Sequence, residues 1–268
     1  PQVISMDEDP LKAVRSKKEA SINGCMQLLK EKKVEAVFSA GSTGATLISA
    51  ITILGKQRGV IRPAIASVLP TIERSVILLD SGASLDVKPK VLYQFAVMGS
   101  KLAEALFDIE SPKIGLLNNG EEESKGRELE KSAFKLLNSS SLNFVGNVEG
   151  RDFATNKVDV FVTDGFTGNV VLKTLEGTAK LQQSLISASL KQNLFKPFLP
   201  SVKKALKPVK DQLNPDKTNA SYLLGVDGLV TIGHGSSKQE AIMNGIQYTN
   251  ESINKDFIGK FSDAIKEL

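Results

Sequence analysis

VDVFVTDGFTGNVVLKTLEG, residues 158–177, places a strand, a polar turn with two glycines and the start of a helix side by side. The β-branched and aromatic run 158–162 predicts a buried strand. The turn 163–169 contains glycines, which permit positive φ and close backbone approach. Apolar residues then recur at helical spacing, so we predict a helix with Thr167 or Asn169 as its N-cap. Such a helix N-terminus attracts anions, although an ordinary βα turn has the same pattern.

A second unit of this kind occurs earlier in the chain. The apolar run 35–39 predicts a strand, SAGSTGA at 39–45 a glycine loop, and residues 46–54 a helix. Gly41, Ser42 and Thr43 offer backbone N–H groups and hydroxyls at the helix start, and such groups can hold a phosphate. The loop is neither a Walker A motif nor a GxGxxG fingerprint, so its spacing does not identify a nucleotide site.

Further segments alternate in the same way. We predict strands at 65–69, 75–80, 113–117, 143–147 and 229–232, and helices at 9–33, 89–107, 127–137 and from 238 onward. The recurrence of strand, polar loop and helix predicts an α/β fold with a doubly wound, mostly parallel sheet. In such sheets ligands bind beyond the carboxyl ends of the strands. We therefore expect the loops at 41–43, 80–84, 118–125 and 164–169 to converge on one cleft.

Composition excludes several classes of protein. The 268 residues are 41% hydrophobic, with no apolar run long enough to span a membrane and no signal-peptide pattern at the start, so we expect a cytoplasmic protein. A net charge of +4 without an aromatic-basic motif argues against nucleic-acid binding. One cysteine and one histidine exclude an intramolecular disulfide and a multi-histidine metal site, and we expect no metal and no cofactor.

The region after Gly177 departs from the strand and helix alternation. Residues 181–210 have a helical pattern interrupted by Pro197, Pro200 and Pro208. We predict one α/β domain over residues 1–268 with a helical hairpin inserted at about 181–218. The sequence returns to the sheet at 229–232 and continues as GHGSS, residues 233–237. His234 lies between glycines at a strand end, which is unlike a core histidine and favours a role in a site.

Five blocks in order resemble the phosphate acyltransferases of bacterial phospholipid synthesis, the PlsX family. They are SAGSTGA (39–45), LDSGA (79–83) with QFAVMG (94–99), IGLLN (114–118) with Lys125-Gly126, TDGFTGN (163–169) with LEG (175–177), and GHGSS (233–237). The resemblance implies transfer of an acyl group from acyl carrier protein to inorganic phosphate. It also implies a fold related to phosphotransacetylases and isopropylmalate dehydrogenases, in a homodimer.

Two departures from the family are visible. Members open with a strand and an Asp-Ala-Met-Gly-Gly-Asp segment, which this sequence does not contain. We therefore expect the sequence to lack an N-terminal part of the family's length, including a strand and a glycine loop that border the site. Ser84 and Ser42 stand where the family often has asparagine, which keeps a hydrogen-bonding group but shortens its reach.

The resemblance implies roles for particular residues in the attack of phosphate on a thioester. Lys125 positions phosphate or the thioester oxygen, Asp164 orients Lys125 or the phosphate, and His234 binds phosphate or protonates the leaving thiolate. A solvated lysine at a helix start is the alternative for Lys125. The remaining residues expected at the substrates are Gly41, Ser42, Thr43, Asp80, Asn118, Thr167, Gly168, Asn169 and Ser236.

Two functions of other classes remain open. A nicotinamide-dependent dehydrogenase of the related fold is disfavoured, because the sequence has no GxGxxG followed by an acidic ribose partner. A non-catalytic, membrane-associated scaffold that uses the helical region is the second alternative. Phosphate-dependent release of free carrier protein distinguishes the enzyme from the scaffold.

The segment LKQNLFKPFLPSVKKALKPVKDQ, residues 190–212, has apolar residues on one side and lysines beside them. This arrangement is typical of a helix that lies in a membrane interface, and a dimer-forming helical hairpin is the alternative. Pro197 and Pro200 are expected to bend the segment into two short helices. We expect peripheral association with anionic membranes through Phe198, Leu199, Val202 and Leu206.

Overall fold

A computed structural model describes residues 2–190, 199–212, 220–235, 237–255, 259 and 261 of the chain. The strands of this described part form one sheet in the order β1-β8-β7-β2-β3-β6-β4-β5. In chain order they are β1 (Ala36–Ser39), β2 (Ala64–Pro70), β3 (Ser75–Leu79), β4 (Ile114–Leu117), β5 (Phe144–Val148), β6 (Val160–Val162), β7 (Ser221–Leu224) and β8 (Leu229–Ile232).

Helices cover both faces of the sheet, which confirms the predicted doubly wound α/β class. Helices α4, α5 and α8 pack on one face, and α2, α3 and α6 pack on the other, with α1 against α3. They are α1 (Pro10–Ser16), α2 (Ser21–Lys30), α3 (Thr43–Ile53), α4 (Pro89–Phe107), α5 (Glu128–Asn138), α6 (Gly165–Leu190), α7 (Leu199–Gln212) and α8 (Gln239–Asn254). A short 3₁₀ helix, Gly150–Ala154, precedes β6.

Antiparallel strands divide the sheet into two parallel parts. β1 pairs with β8 in parallel, and β3, β6, β4 and β5 form a second parallel group. Between the groups, β7 and β2 pair antiparallel with each other and with their outer neighbours. The connections 71–74 and 225–228 are four residues long, which permits a hairpin but not the helical crossover that parallel strands need.

This division corrects the expectation that all the candidate loops lie at one edge. Three antiparallel pairings separate β8 from β3, so the two parallel groups run in opposite directions. The carboxyl ends of β1 and β8 therefore lie at one edge of the sheet, and those of β3, β4 and β6 lie at the other. The sequence analysis did not identify β7, which contributes to this reversal.

Several predicted helix limits are also corrected. The segment predicted as one helix at 9–33 forms α1 and α2, because the side-chain amide of Asn23 donates to the carbonyl oxygens of Val14 and Lys17 and stabilises a break. Helix α3 begins at Thr43 instead of at 46, with Ser42 as its N-cap.

In the helical region 181–212 the helices begin and end at other residues than predicted. Helix α6 continues to Leu190, through the position where the hairpin was expected to begin. Pro200 lies in the first turn of α7, where a missing N–H costs nothing, and Pro208 lies within the helix. Residues 191–198, which include Pro197 and Phe198, lie outside the described residues.

The first turn of α6 is in close contact with the loop after β3. A Cβ atom at Gly168 would lie 1.9 Å from the carbonyl oxygen of Asp80, and one at Gly165 would lie 2.8 Å from the carbonyl oxygen of Ser84. Only glycine allows the helix to approach the backbone this closely. These two glycines therefore fix the position at which α6 begins.

We expect Gly168→Ala to lower the free energy of unfolding by at least about 2 kcal/mol, because the added methyl group overlaps a backbone atom that cannot rotate away. Gly177→Ala is the matched control in the same helix, since no atom lies within 4 Å of its added Cβ. That variant should be more stable by about 0.5–1 kcal/mol. Urea denaturation measures both, and equal effects would contradict the close approach at Gly168.

Candidate active site

Asp164 caps α6. Its Oδ1 accepts a hydrogen bond from the backbone N–H of Thr167 at 2.8 Å, and its Oδ2 accepts one from the Thr167 hydroxyl at 2.9 Å. The helix begins at Gly165, so the prediction that Thr167 or Asn169 is the N-cap was wrong. The N–H groups of Gly165, Thr167 and Gly168 all donate within the chain, to Ser84 and Asp164. The helix start is therefore less available to an anion than the sequence pattern indicated.

Arg127 joins the start of α5 to the start of α6. Its guanidinium contacts Asp164 at 2.5 Å and donates from Nε to Glu130 at 3.0 Å. Both carboxylates are buried, with side chains 3% and 8% exposed, whereas the Arg127 side chain is 61% exposed. Asp164 was expected to orient Lys125, but its cationic partner is Arg127, which the sequence analysis did not single out. The i,i+3 spacing of Arg127 and Glu130 at a helix start was the available signal.

These contacts change the pKa of both partners. Burial by itself would raise the pKa of Asp164, but the hydrogen bonds from Thr167 and Arg127 outweigh it and lower the pKa. The hydrogen bonds that Arg127 donates to Glu130 and Asp164 raise the pKa of its guanidinium. Asp164 is therefore ionised at neutral pH and holds α6 and Arg127 together as a charged pair.

Lys125 lies in the loop after β4 with an exposed side chain. Its Nζ is 3.9 Å from Glu122, a distance at which the two charges interact weakly in solvent. The side chain of Asn118 shapes this loop, because its amide donates to the Lys125 carbonyl oxygen and its Oδ1 accepts from Asn119. In the structure the Asn118 side chain fixes the loop that places Lys125, and its contact with substrate stays a prediction.

Asp80 is fully buried in the loop after β3. Its carboxylate accepts backbone N–H groups from Ile65, Gly82, Ala83 and Ser84 at 2.7–3.0 Å. Burial raises its pKa, and the four hydrogen bonds oppose that rise. The expected substrate contact of this side chain is corrected, because both oxygens are used to fold the loop. Gly168 was also expected at the substrate, and in the structure it packs against the backbone of Asp80.

The loop after β3 and the start of α6 are neighbours. A Cβ atom at Gly82 would lie 3.7 Å from the Cβ of Asn169, whose side chain is exposed. Together with the Arg127–Asp164 contact, this places the loops after β3, β4 and β6 in one group. Its exposed polar side chains include Lys125, Arg127 and Asn169, and also Glu121, Glu122 and Glu123 of the loop after β4. We call this group the lysine cluster.

Gly41, Ser42, Thr43 and His234 form a second group at the carboxyl ends of β1 and β8, which we call the histidine cluster. The Gly233 N–H donates to the Ser39 carbonyl oxygen at 2.8 Å and joins the two strand ends. Gly41 and Ser42 also line a cavity of about 250 Å³ together with Ile22, Val37 and other mostly apolar side chains. Ser236 lies outside the described residues.

Helix α6 connects the two clusters. It begins in the lysine cluster, and Glu176 on its fourth turn lies 3.3 Å from Nε2 of His234 in the histidine cluster. Eleven residues separate Gly165 from Glu176, so the helix carries the chain about 16 Å between these points. The predicted convergence of the loops is therefore replaced by two clusters with a helix between them.

Three serines lie on the sheet face that carries α3 and α6. The Ser67 hydroxyl is 2.7 Å from that of Ser81 and 3.0 Å from that of Ser221. Ser81 also lies 3.0 Å from the Ile65 carbonyl oxygen, which can only accept. Each hydroxyl has one proton to donate, so Ser81 donates to the Ile65 carbonyl oxygen and Ser67 donates to Ser81. Ser221 then donates to Ser67. The half-buried end at Ser221 is left as a hydrogen-bond acceptor.

The chain is similar to known proteins along nearly its whole length. Residues 1–260 match the family model described as "Fatty acid synthesis protein". A protein of Elusimicrobium minutum named "Phosphate acyltransferase" is 43% identical over 275 aligned residues, which cover 100% of this chain and 79% of that protein. A protein of Nostoc punctiforme with the same name is 44% identical over 261 residues, covering 96% and 77%.

Two solved structures share the fold. A branched-chain phosphotransacylase from Enterococcus faecalis V583 has a TM-score of 0.61 at 14% identity and covers 89% of this chain and 80% of its own. EutD phosphotransacetylase from Staphylococcus aureus has a TM-score of 0.56 at 14% identity, covering 97% and 75%. At these identities the likeness concerns the fold alone, and it confirms the predicted fold related to phosphotransacetylases.

We expect Asp164→Asn to lower the free energy of unfolding at pH 7 by about 1–3 kcal/mol, because it removes a charged hydrogen bond to Arg127 and leaves the Thr167 cap. The folded pKa of Asp164 lies below its unfolded value of about 4. Its contribution is therefore present above that pH and is lost as the pH falls through the folded pKa. Denaturation between about pH 3 and pH 7 measures the difference between variant and wild type.

The exposed Asp86→Asn serves as control for a loss of negative charge, and its effect should be small at every pH. A difference between Asp164→Asn and wild type that stays constant across the pH range would show that the ion pair contributes nothing.

Proposed function

The chain belongs to the fatty acid synthesis protein family and is a phosphate acyltransferase, and we propose that its acyl donor is acyl carrier protein and its acceptor inorganic phosphate. The observation that carries this proposal is the similarity of 43% identity across the whole chain to a phosphate acyltransferase. The lysine cluster supplies cations and the histidine cluster supplies a proton carrier, and the proposed reaction requires the substrates to lie along the α6 face between the two clusters.

In the proposed reaction a phosphate oxygen attacks the thioester carbonyl carbon. A carbon–oxygen bond forms, the carbon–sulfur bond breaks, and the products are acyl phosphate and the free thiol of the carrier. Phosphate is itself the nucleophile, so no serine or cysteine of the protein is acylated. The protein must hold an anionic nucleophile, stabilise the negative charge that develops on the carbonyl oxygen and supply a proton to the thiolate.

We infer that the lysine cluster holds the anionic group. Lys125 has an exposed ammonium with only a distant carboxylate, and its loop is fixed by Asn118. Asp164 acts indirectly in this proposal: it fixes Arg127 and the start of α6, which places Asn169 beside Gly82. Thr167 serves Asp164 through two hydrogen bonds and has the same indirect role.

His234 is the proposed proton carrier for the leaving thiolate. It is the chain's one histidine, its side chain is 34% exposed, and it lies beside the loop that contains Gly41, Ser42 and Thr43. Proton transfer by a positioned side chain contributes about 10²- to 10⁴-fold to a rate. The hydroxyls of Ser42 and Thr43 remain candidates for contacts with the substrates.

We further propose a homodimer and reversible contact with membranes. Helix α6 has an exposed apolar stripe on the side away from the sheet, which a second copy of the chain would cover: Phe166, Val170, Leu181 and Leu185. In α7, Val202, Leu206 and Val209 share one side, and Lys204 and Lys207 are exposed. No helix in the described part of the chain is long and apolar enough to cross a membrane.

We expect the purified chain to release free carrier protein from acyl carrier protein only when inorganic phosphate is present. We also expect Lys125→Ala to lower that rate at least about 100-fold, because an electrostatic contact with the reacting group is lost. Mass spectrometry of the carrier and trapping of acyl phosphate with hydroxylamine measure the reaction.

Lys135→Ala, which removes an exposed lysine of the neighbouring helix α5, is the matched control and should react at the wild-type rate. Release of carrier without phosphate would contradict the proposed acceptor. Normal turnover by folded Lys125→Ala would remove Lys125 from the mechanism.

We expect vesicles with anionic lipid to bind the chain, and neutral vesicles to bind it weakly. Changing Lys204 and Lys207 together to Gln should weaken binding about 30-fold, since each lysine near the surface contributes about 1 kcal/mol. The exposed Lys18 and Lys30, changed together to Gln, are the control. Phe198→Asp with Leu199→Asp tests the apolar part. Sedimentation with vesicles measures each, and equal loss in both lysine pairs would refute a role for α7.

A further inference from the structure

Helix α6 brings Glu176 to the histidine, and this contact has a chemical consequence for the proposed reaction. Oε1 of Glu176 lies 3.3 Å from Nε2 of His234. We infer that Glu176 is the positioning residue of His234: it fixes the imidazole with its proton on Nε2 and leaves Nδ1 to exchange a proton with the substrates. This inference rests on the proposed function and extends it to a residue outside the candidates that the sequence indicated.

Both partners are held by their surroundings. Lys173, one turn earlier on α6, contacts the carboxylate of Glu176 at 3.0 Å, and the Glu176 side chain is only 17% exposed. The histidine loop is fixed by the Gly233 N–H bond to Ser39 and by the Ser237 N–H bond to the His234 carbonyl oxygen. The start of α6 is fixed by Gly165 and Gly168. The contact is therefore set by the fold and needs no further ordering when substrate binds.

The chemistry of the two groups determines which nitrogen carries the proton. An ionised carboxylate can only accept a hydrogen bond, whereas each nitrogen of a neutral imidazole is either a donor or an acceptor. Because Nε2 faces Glu176, Nε2 carries the proton and the lone pair is on Nδ1. A general base needs such a lone pair, and a neighbouring carboxylate stabilises the imidazolium that forms when the base accepts a proton.

The proton can then be followed through one turnover. Nδ1 takes the proton of hydrogen phosphate as a phosphate oxygen bonds to the thioester carbon. The imidazolium that results lies beside the Glu176 carboxylate. When the carbon–sulfur bond breaks, Nδ1 returns the same proton to the thiolate. The products are acyl phosphate and the carrier thiol, and His234 regains its original form.

The alternative role for Glu176 is structural, as an ion pair that ties α6 to the β8 loop without affecting the imidazole proton. Two measurements separate these roles. The first reads the position of the proton directly, and the second reads the chemical step. A loss of stability alone would not produce the expected result of either measurement.

The first experiment uses nitrogen-15 NMR of the full chain labelled in histidine, at a pH high enough for the imidazole to be neutral. Since the chain has one histidine, its ring signals belong to His234 without further assignment. We expect wild type to show a protonated Nε2 and an unprotonated Nδ1, and Glu176→Gln to shift the population toward a protonated Nδ1. A protonated Nδ1 in wild type, or the same tautomer population in both proteins, would overturn the inference.

The second experiment compares kcat and KM of Glu176→Gln, His234→Gln and the double variant. We expect Glu176→Gln to lower kcat about 10- to 100-fold, with the KM for phosphate changed less than about twofold, because the residue acts on proton transfer and not on binding. The double variant should be no slower than His234→Gln, since Glu176 acts through the imidazole. Independent, multiplying effects of the two changes would overturn the inference.

Glu104→Gln is the matched control, because Glu104 forms the same i,i+3 pair with a lysine, Lys101, on α4 and lies away from both clusters. It should match wild type in kcat.

An acyl thioester of an aryl thiol adds a further readout: its thiolate leaves without needing a proton, so the defect of Glu176→Gln should shrink with it. An undiminished defect would show that Glu176 does not act through protonation of the leaving thiolate.

The NMR result does not depend on turnover. It therefore tests the pairing of Glu176 with His234, the dyad, even if the acyl donor or acceptor has been wrongly proposed. Conversely, phosphate-dependent turnover by wild type together with an unaffected Glu176→Gln would reject the dyad and keep the proposed function.

Discussion

The contact of the first turn of α6 with the backbone of Asp80 is the constraint on which the candidate site depends. The helix can approach the carbonyl oxygen of Asp80 only because Gly168 has no side chain there, and Gly165 allows the same approach to Ser84. The loop that it meets is itself held by the buried Asp80 carboxylate, which accepts four backbone N–H groups. The helix therefore starts from a rigid base, and everything that it carries has a defined position.

From that base the helix determines the geometry of both clusters. At its start Asp164 holds Arg127, and through Arg127 it joins the loop after β4 to the loops after β3 and β6. About 16 Å further along, Glu176 reaches His234. Because the antiparallel strands β2 and β7 put the two parallel groups of strands in opposite directions, the loops of the two groups do not meet at one edge. A single helix, α6, provides the connection between them.

The buried carboxylates near the lysine cluster are already occupied by hydrogen-bond donors. Asp80, Glu130 and Asp164 are all buried, and each is compensated by N–H donors or by Arg127. A buried carboxylate without such partners would be costly, so these contacts leave the carboxylates little capacity to bind substrate. The residues left for an anionic substrate are the exposed Lys125, Arg127 and Asn169 of the lysine cluster and the hydroxyls and imidazole of the histidine cluster. Structural carboxylates inside and exposed polar groups outside agree with a reaction in which the nucleophile comes from phosphate and not from the protein.

The sequence by itself determined the α/β class, the positions of seven strands, close to those observed, and the loops that follow these strands. It did so because hydrophobic periodicity and glycine placement report local burial and turns, which need only neighbouring residues. It also carried the family, through motifs such as TDGFTGN. Only the tertiary structure decided the directions of the strands, the burial of Asp80, the pairing of Asp164 with Arg127 instead of Lys125, and the contact of Glu176 with His234. Each of these joins residues far apart in the chain, and their distances follow from how whole helices pack on the sheet, which no local pattern encodes.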